Sequence, residues 1–344
     1  MFGLITSLIV IIGLAIYLYG GNHSIWYSTI ITTTTTIGKN LSNNSFIENV
    51  NVGSMPEGLA ITPNGKYLYV ADSAANTVSV ISTSSDNVVD TIKVGSGPSA
   101  IISTQDGDYV YVADSNTNNV SVIATSNDTV VNTINTGRIP VGLAFRPDGK
   151  YLYVTNYVSN NISIISVLND TVIDSIKVGN GPTGIVFTPN GQYLYVTYFS
   201  DNYVYVIAAA NGTVMKKLIV GVSPAFPAVT PDGKYVYVPD SYNYTDYPNV
   251  SVISTSNNTV ITKIGVGFSP TAIAMAPDGK YAYVTNSGSG TVSVISTINN
   301  TVINTIKVGS SPFGIVVAPD GKYIYVANSG SGTVSVIPTA YPND

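Results

Sequence analysis

Glu57 stands one residue after the proline of a loop that recurs along the chain, where the other copies carry Ser99, Val141, Thr183, Ala225, Thr271 and Phe313. A lone carboxyl there is suggestive, but general acid and base work normally needs a second group in reach, and no partner is visible beside it. The only other glutamate is Glu48, and the single histidine, His23, lies far from every repeat. Cysteine is absent, which removes disulfides, thiolate nucleophiles, iron–sulfur clusters and cysteine zinc sites together. No cofactor is expected.

A second set of polar groups recurs with the repeats: Asp72, Asp114, Asn156, Tyr198, Asp240, Asn286 and Asn328. Such a ring of oxygens could hold Ca²⁺. Alternatively, each Asp or Asn bonds the backbone of its own following turn, as these residues commonly do at strand ends. The Ser-Gly-Ser-Gly runs at 287–290 and 329–332 lack the Lys-Ser/Thr and helix of a phosphate cradle, and read as loops. Aromatic residues gather where the repetition fails, at Tyr157, Tyr198, Phe199, Tyr242, Tyr244 and Tyr247, with Asp246 beside them. Tyrosine has an apolar face and a polar tip, so this group is the candidate recognition surface for a sugar or a protein. Asn-x-Ser/Thr sequons at Asn127, Asn169, Asn211, Asn257 and Asn299 are candidate glycosylation sites, all at one kind of turn.

The elements that position these groups follow from the repeat. The turn glycines Gly65, Gly107, Gly149, Gly191, Gly233, Gly279 and Gly321 are spaced 42, 42, 42, 42, 46 and 42 residues apart. Each unit holds four β-branched and aromatic runs separated by Pro-Asp-Gly, Ser/Gly/Asn and Asn-rich turns, which is the pattern of four short strands. Seven such units predict a seven-bladed β-propeller. The second strand is apolar on both faces, as in Tyr67-Leu-Tyr-Val70, and stacked blades bury both faces of a sheet. Lys93, Lys177 and Lys307 mark the fourth strand as an exposed outer edge. The seventh unit stops after its third strand near Ile337, while Ser45–Gly53 matches the fourth strand of the other units, so the start of the domain should complete the last blade.

The naming motif of a family is now visible at Tyr153-Val-Thr-Asn156 and Tyr283-Val-Thr-Asn286, with variants at 69–72, 111–114, 195–198, 237–240 and 325–328. Over about residues 46–338 the chain resembles the YVTN-repeat seven-bladed propellers, many of which are archaeal surface-layer or cell-surface proteins. Enzymes and redox subunits similar to this family tend to use histidine for haem, copper or proton transfer. One histidine in a linker cannot build such a site.

Residues 1–20 hold no charged side chain, and the apolar run from Phe2 to Tyr19 would span about 27 Å as a helix, close to a bilayer core. A transmembrane signal anchor is expected over 1–20, a polar Thr/Asn/Ser linker over 21–45, the propeller over 46–338 and a tail over 339–344. Only 10% of residues are charged, with 14 basic against 19 acidic, so no basic surface exists for nucleic acid.

The expectation is a non-catalytic, membrane-anchored cell-surface propeller that binds, adheres or assembles a surface layer through loops on one face. Its partners would be a surface protein or glycan, with the membrane reached through the N-terminal helix and an oligomer or lattice open to it. The alternative is an extracellular lactonase-like hydrolase or lyase, with Glu57, Arg146 and the strand-end aspartates around the channel as a carboxylate or metal site. Because few acids look paired, stability is expected to vary weakly with pH.

Overall fold

The chain divides at Phe46 into two units. The computed structural model describes residues 47–241 and 248–339, all in the second unit; the expected N-terminal helix and linker lie outside the described residues. Among the described residues no helix is long and apolar enough to cross a membrane.

Seven four-stranded antiparallel sheets make up this unit. In blade 1 the strands run Pro56–Ile61, Tyr67–Asp72, Thr77–Ser82 and Asn87–Lys93, and the same order repeats through blade 6. Blade 7 takes three strands, Pro312–Val317, Tyr323–Asn328 and Thr333–Pro338, from the end of the domain. Its fourth is Glu48–Asn51, paired antiparallel to the third with Glu48 opposite Val336 and Asn51 opposite Thr333. The borrowed strand thus closes the ring as the sequence predicts.

No single centre holds the hydrophobic core. Side chains of adjacent blades interlock instead, as where Tyr69, Val78 and Val80 of blade 1 meet Ile101, Val110 and Val112 of blade 2. At the closure Val50 joins Leu68 and Val70 of blade 1 and Tyr325, Val334 and Val336 of blade 7. The seven turn glycines all adopt positive φ, a conformation that costs residues with a Cβ.

Three positions of the repeated tetrapeptide make recurring hydrogen bonds. Its tyrosine hydroxyl crosses to the next blade: Tyr69 donates to Asp128 Oδ1 at 2.6 Å and Tyr111 to Asp170 Oδ1 at 2.5 Å. Tyr195 reaches Asn258 and Tyr237 reaches Asn300 in the same way. The acceptors Asp128, Asp170, Asn258 and Asn300 sit at positive φ in the turn before the outer strand, which Asn and Asp tolerate. Where the motif has threonine, its hydroxyl bonds a carbonyl of the next inner strand: Thr155 to Thr183 O at 2.6 Å, Thr197 to Ala225 O at 2.7 Å and Thr285 to Phe313 O at 2.7 Å. The final Asn or Asp stays within its own blade, with Asn286 Nδ2 donating to Ser293 Oγ at 2.9 Å and Asp240 Oδ2 accepting from Ser251 Oγ at 2.7 Å.

A test of the threonine's role follows. Thr197 Oγ1 also accepts from Gly184 N–H at 2.8 Å, so Thr197→Val strands a buried donor and a buried acceptor. A loss of about 1–3 kcal/mol is expected in denaturant unfolding. A change of a few tenths would mean that the hydroxyl is incidental to blade docking.

Candidate functional site

The inner strands begin at a proline in six of the seven blades, and the residue after that proline faces the propeller axis from each blade. Glu57, Ser99, Val141, Thr183, Ala225, Thr271 and Phe313 together form the floor of an axial mouth of about 820 Å³. Its rim is built by Ile139, Ser223 and Ser269, which precede the prolines, and by Tyr157, Phe199, Ser241 and Ser287, which follow the second strands. The mouth therefore opens on the face carrying the loops between second and third strands. The blades can approach this closely because the inner strands lack side chains at key points: a Cβ on Gly314 would lie 2.1 Å from the Glu57 carbonyl oxygen.

Blade 5 departs from the pattern and supplies an extra wall. Pro224 and Pro227 flank Ala225-Phe226, and the regular ladder to the second strand shrinks to Ala228–Val229, with an isolated bridge from Pro224 to Asp240. A proline removes a ladder donor and bends the strand. Phe226 is released toward the axis, where its N–H donates to Thr271 O of blade 6 at 3.0 Å and its ring meets Phe313 edge-on at 5.7 Å. This residue was not singled out from the sequence, although the second proline, unique to that copy, was the available signal. Ile139, on the rim, sits at φ 56, a strained value for a β-branched residue. It is held there by Asn118 Oδ1, which accepts its N–H at 2.9 Å, and by Tyr157 N–H, which donates to its carbonyl at 2.8 Å.

Among the described residues lining the mouth, Glu57 is the only carboxylate, and none is a lysine, arginine or histidine. Burial pushes its carboxyl up to about 7, against a hydrogen bond with Ser73 that favours the ionised form. At neutral pH the group is therefore poised between its two states.

The other expected groups fall in several places. Tyr157 and Phe199 line the mouth, with Phe199 44% exposed and the Tyr157 hydroxyl 3.0 Å from Ser200 Oγ. Tyr198, expected at the recognition surface, is instead completely buried, its ring 4.2 Å from that of Tyr205. The alternation of side chains along a strand turns it inward when Phe199 turns out. Tyr242, Tyr244, Asp246 and Tyr247 lie outside the described residues, immediately after the rim residue Ser241. Arg146 does not reach the axis: it pairs with Asp148 at 3.3 Å and lines a separate groove with Tyr151, Asp174 and Lys177.

The strand-end aspartates do not converge either. Asp72 accepts from Ser79 Oγ at 2.7 Å, from Thr77 Oγ1 at 3.3 Å and from the backbone of Gly53. Asp114 is bonded by Ser121 at 2.6 Å. Among the described residues no three His, Cys, Asp or Glu side chains gather at metal-ligand range. The sequon asparagines Asn127, Asn169, Asn211, Asn257 and Asn299 are exposed at outer turns. In four of them the sequon threonine donates to the asparagine Oδ1, as from Thr129 to Asn127 at 2.9 Å.

Comparison with known proteins places these observations in a family. The model described as "Lactonase, 7-bladed beta-propeller" matches residues 82–173 and 169–337. No curated protein matches the sequence. Among solved structures, a chain of hydrazine synthase from Kuenenia stuttgartiensis superposes with a TM-score of 0.78 at 23% identity, over 88% of this chain and 99% of that one. A likeness at that identity is one of fold.

Proposed function

We propose, for a chain that belongs to the seven-bladed lactonase β-propeller family, that its work is binding: the face carrying the axial mouth takes a small ligand or a protruding group of a surface partner. One observation carries this reading. The mouth is a formed concavity of about 820 Å³ with mainly apolar walls and a single carboxylate, the composition of a ligand site rather than of a worn channel. Tyr157 and Phe199 at its rim extend the recognition surface outward.

The finer setting belongs to the same proposal. The uncharged apolar run at 1–20 supports a membrane anchor, and the repeated motif supports kinship with YVTN surface-layer and cell-surface propellers. The propeller would then stand outside the cell, with adhesion or surface-layer assembly as its task and a surface protein or glycan as its partner. Glycosylation of the exposed sequon turns would follow from that location.

A second reading, hydrolysis of a small cyclic ester, is favoured by the family match and by a Glu57 carboxyl near neutrality. In it, ionised Glu57 would take the proton from a water attacking the ester carbonyl. The expected result of a direct test separates the two. Filling the mouth with Thr183→Trp should abolish ligand-induced thermal stabilisation across a fragment panel and leave the melting temperature within a few degrees. Lactone hydrolysis above the buffer rate that disappears in Glu57→Gln would instead establish the second reading.

A further inference from the structure

We propose, resting on the axial mouth being the binding site, that its ligand is an organic cation: a primary or secondary amine on an apolar body. The ammonium would pair with Glu57, and the apolar body would lie against Phe199, Phe226 and Phe313.

Three features of the mouth point to this class. The first is charge. Glu57 faces a cavity whose described lining contains no cation, so nothing in the wall neutralises it when ionised, and an anionic ligand would be repelled. The second is aromatic. Phe226 and Phe313 meet edge-on at 5.7 Å, and ring faces attract cations as well as apolar groups.

The third is the direction of the hydroxyls. Thr183 Oγ1 donates to Gly181 O at 3.2 Å and Thr271 Oγ1 to Ser269 O at 3.1 Å. Ser241 Oγ donates to Pro270 O at 2.7 Å and Ser287 Oγ to Ser269 O at 3.0 Å. Because Ser115 donates to Pro140 O at 2.7 Å, its contact with Ser99 at 2.8 Å is one in which Ser99 donates. Each of these protons is already spent on the protein; Thr183 Oγ1 also accepts from Phe199 N–H at 3.2 Å, while the remaining hydroxyl oxygens turn lone pairs to the cavity. A mouth that accepts hydrogen bonds and offers few suits a ligand that donates them. An ammonium donates and does not accept; a carboxylate or phosphate does the reverse.

The carboxyl held near 7 is consistent with this assignment, since an arriving ammonium would draw it into its ionised form.

The test uses three probes of nearly equal shape with the full chain at about pH 8: 2-phenylethylamine, 2-phenylethanol and phenylacetate, titrated calorimetrically. The amine is expected to bind about tenfold or more tighter than the alcohol, and the carboxylate weakest. Glu57→Gln should erase the preference for the amine while leaving the alcohol's affinity within a factor of about two. Glu57→Ser, which copies the residue blade 2 has at this place, serves as the second variant should the first fail to fold. Alcohol binding as tight as the amine in the natural chain would overturn the cation assignment but leave the mouth a binding site. Retention of the amine preference in both variants would overturn the role of Glu57. If none of the three binds and Thr183→Trp changes nothing, the binding reading of the mouth falls with it.

Discussion

Deleting residues 47–52 is expected to lower the melting temperature by about 10 °C and to make the seam between blades 7 and 1 the first part of the propeller to open. The segment does more than pair with Thr333–Pro338. Val50 is buried between blades 7 and 1, which is worth about 1.5–3 kcal/mol for a side chain of that size. Val52 N–H donates to Gly332 O at 3.0 Å, and Ser335 Oγ donates to Asn49 Oδ1 at 2.8 Å. With the ladder bonds, the loss is on the order of 5 kcal/mol, comparable to the whole stability of many domains. At about 2 °C per kcal/mol for a domain of this size, the shift follows. Deletion also bares an edge whose partner-seeking groups invite association. Hydrogen exchange should show the amides of Thr333–Pro338 losing protection before those of blade 4. Identical melting curves for the two chains would mean that the ring is held by the blade-to-blade layers alone.

Acidification from pH 8 to about pH 5 is expected to stabilise this protein, the second large effect. The expectation of weak pH dependence from sparse, unpaired charge is corrected by where the carboxyls lie. Burial raises Asp72, Asp114 and Asp240 to about 6 each, opposed by bonds from Ser79, Ser121 and Ser251. In each, Oδ2 accepts the serine hydroxyl while Oδ1 is buried without a partner. Unfolded, these groups titrate near 4. Between about pH 4 and 6 the folded state therefore binds more protons than the unfolded state, and stability falls as pH rises through that window. Glu57, at about 7, extends the fall to neutral pH.

One pKa unit is worth about 1.4 kcal/mol, so each aspartate costs about 1–3 kcal/mol at neutral pH after allowing for its hydrogen bonds. Turn aspartates act oppositely but lower down. Hydrogen bonds with Thr104 and Thr230, and the Lys322 backbone beside Asp320, hold Asp106, Asp232 and Asp320 below the usual carboxylate range. Their contribution is present at neutral pH and is lost as pH falls below about 4. The maximum should sit near pH 4–5. Asn156, Asn286 and Asn328 occupy the same place in other blades and donate to the matching serine, so Asp72→Asn, Asp114→Asn and Asp240→Asn together should stabilise the fold at pH 7.5 and flatten the profile. A triple variant less stable than the natural chain at pH 7.5 would show that the carboxylates are held ionised.

The blade count, the strand order and the origin of the closing strand were all legible in the sequence. They rest on local chemistry: glycines forced to positive φ in each turn, β-branched runs between turns, and a fourth-strand pattern at one end missing from the other. The second strands are buried on both faces, which is why they are apolar up to the Asp or Asn that ends most of them. Glu57 could be placed near the axis because it occupies a fixed position in its repeat, and the axial fate of that position is shared by all copies.

What the local pattern could not settle was company. Glu57 and Phe313 lie 256 residues apart, and only the closed ring makes them neighbours across Gly314. Tyr198 and Phe199 are alike in the sequence, yet the register of one strand sends the first into the core and the second to the mouth. Arg146, expected around the channel, stands at the far end of the inner strand and lines a groove between blades. Phe226 entered the mouth because two prolines break one inner strand, an event whose direction depends on the neighbouring blade that receives it. Turns and strands are set by interactions a few residues apart, which a repeat writes openly. A site at the axis is assembled from single residues about 42 positions apart, and their shared chemistry exists only when the ring is closed.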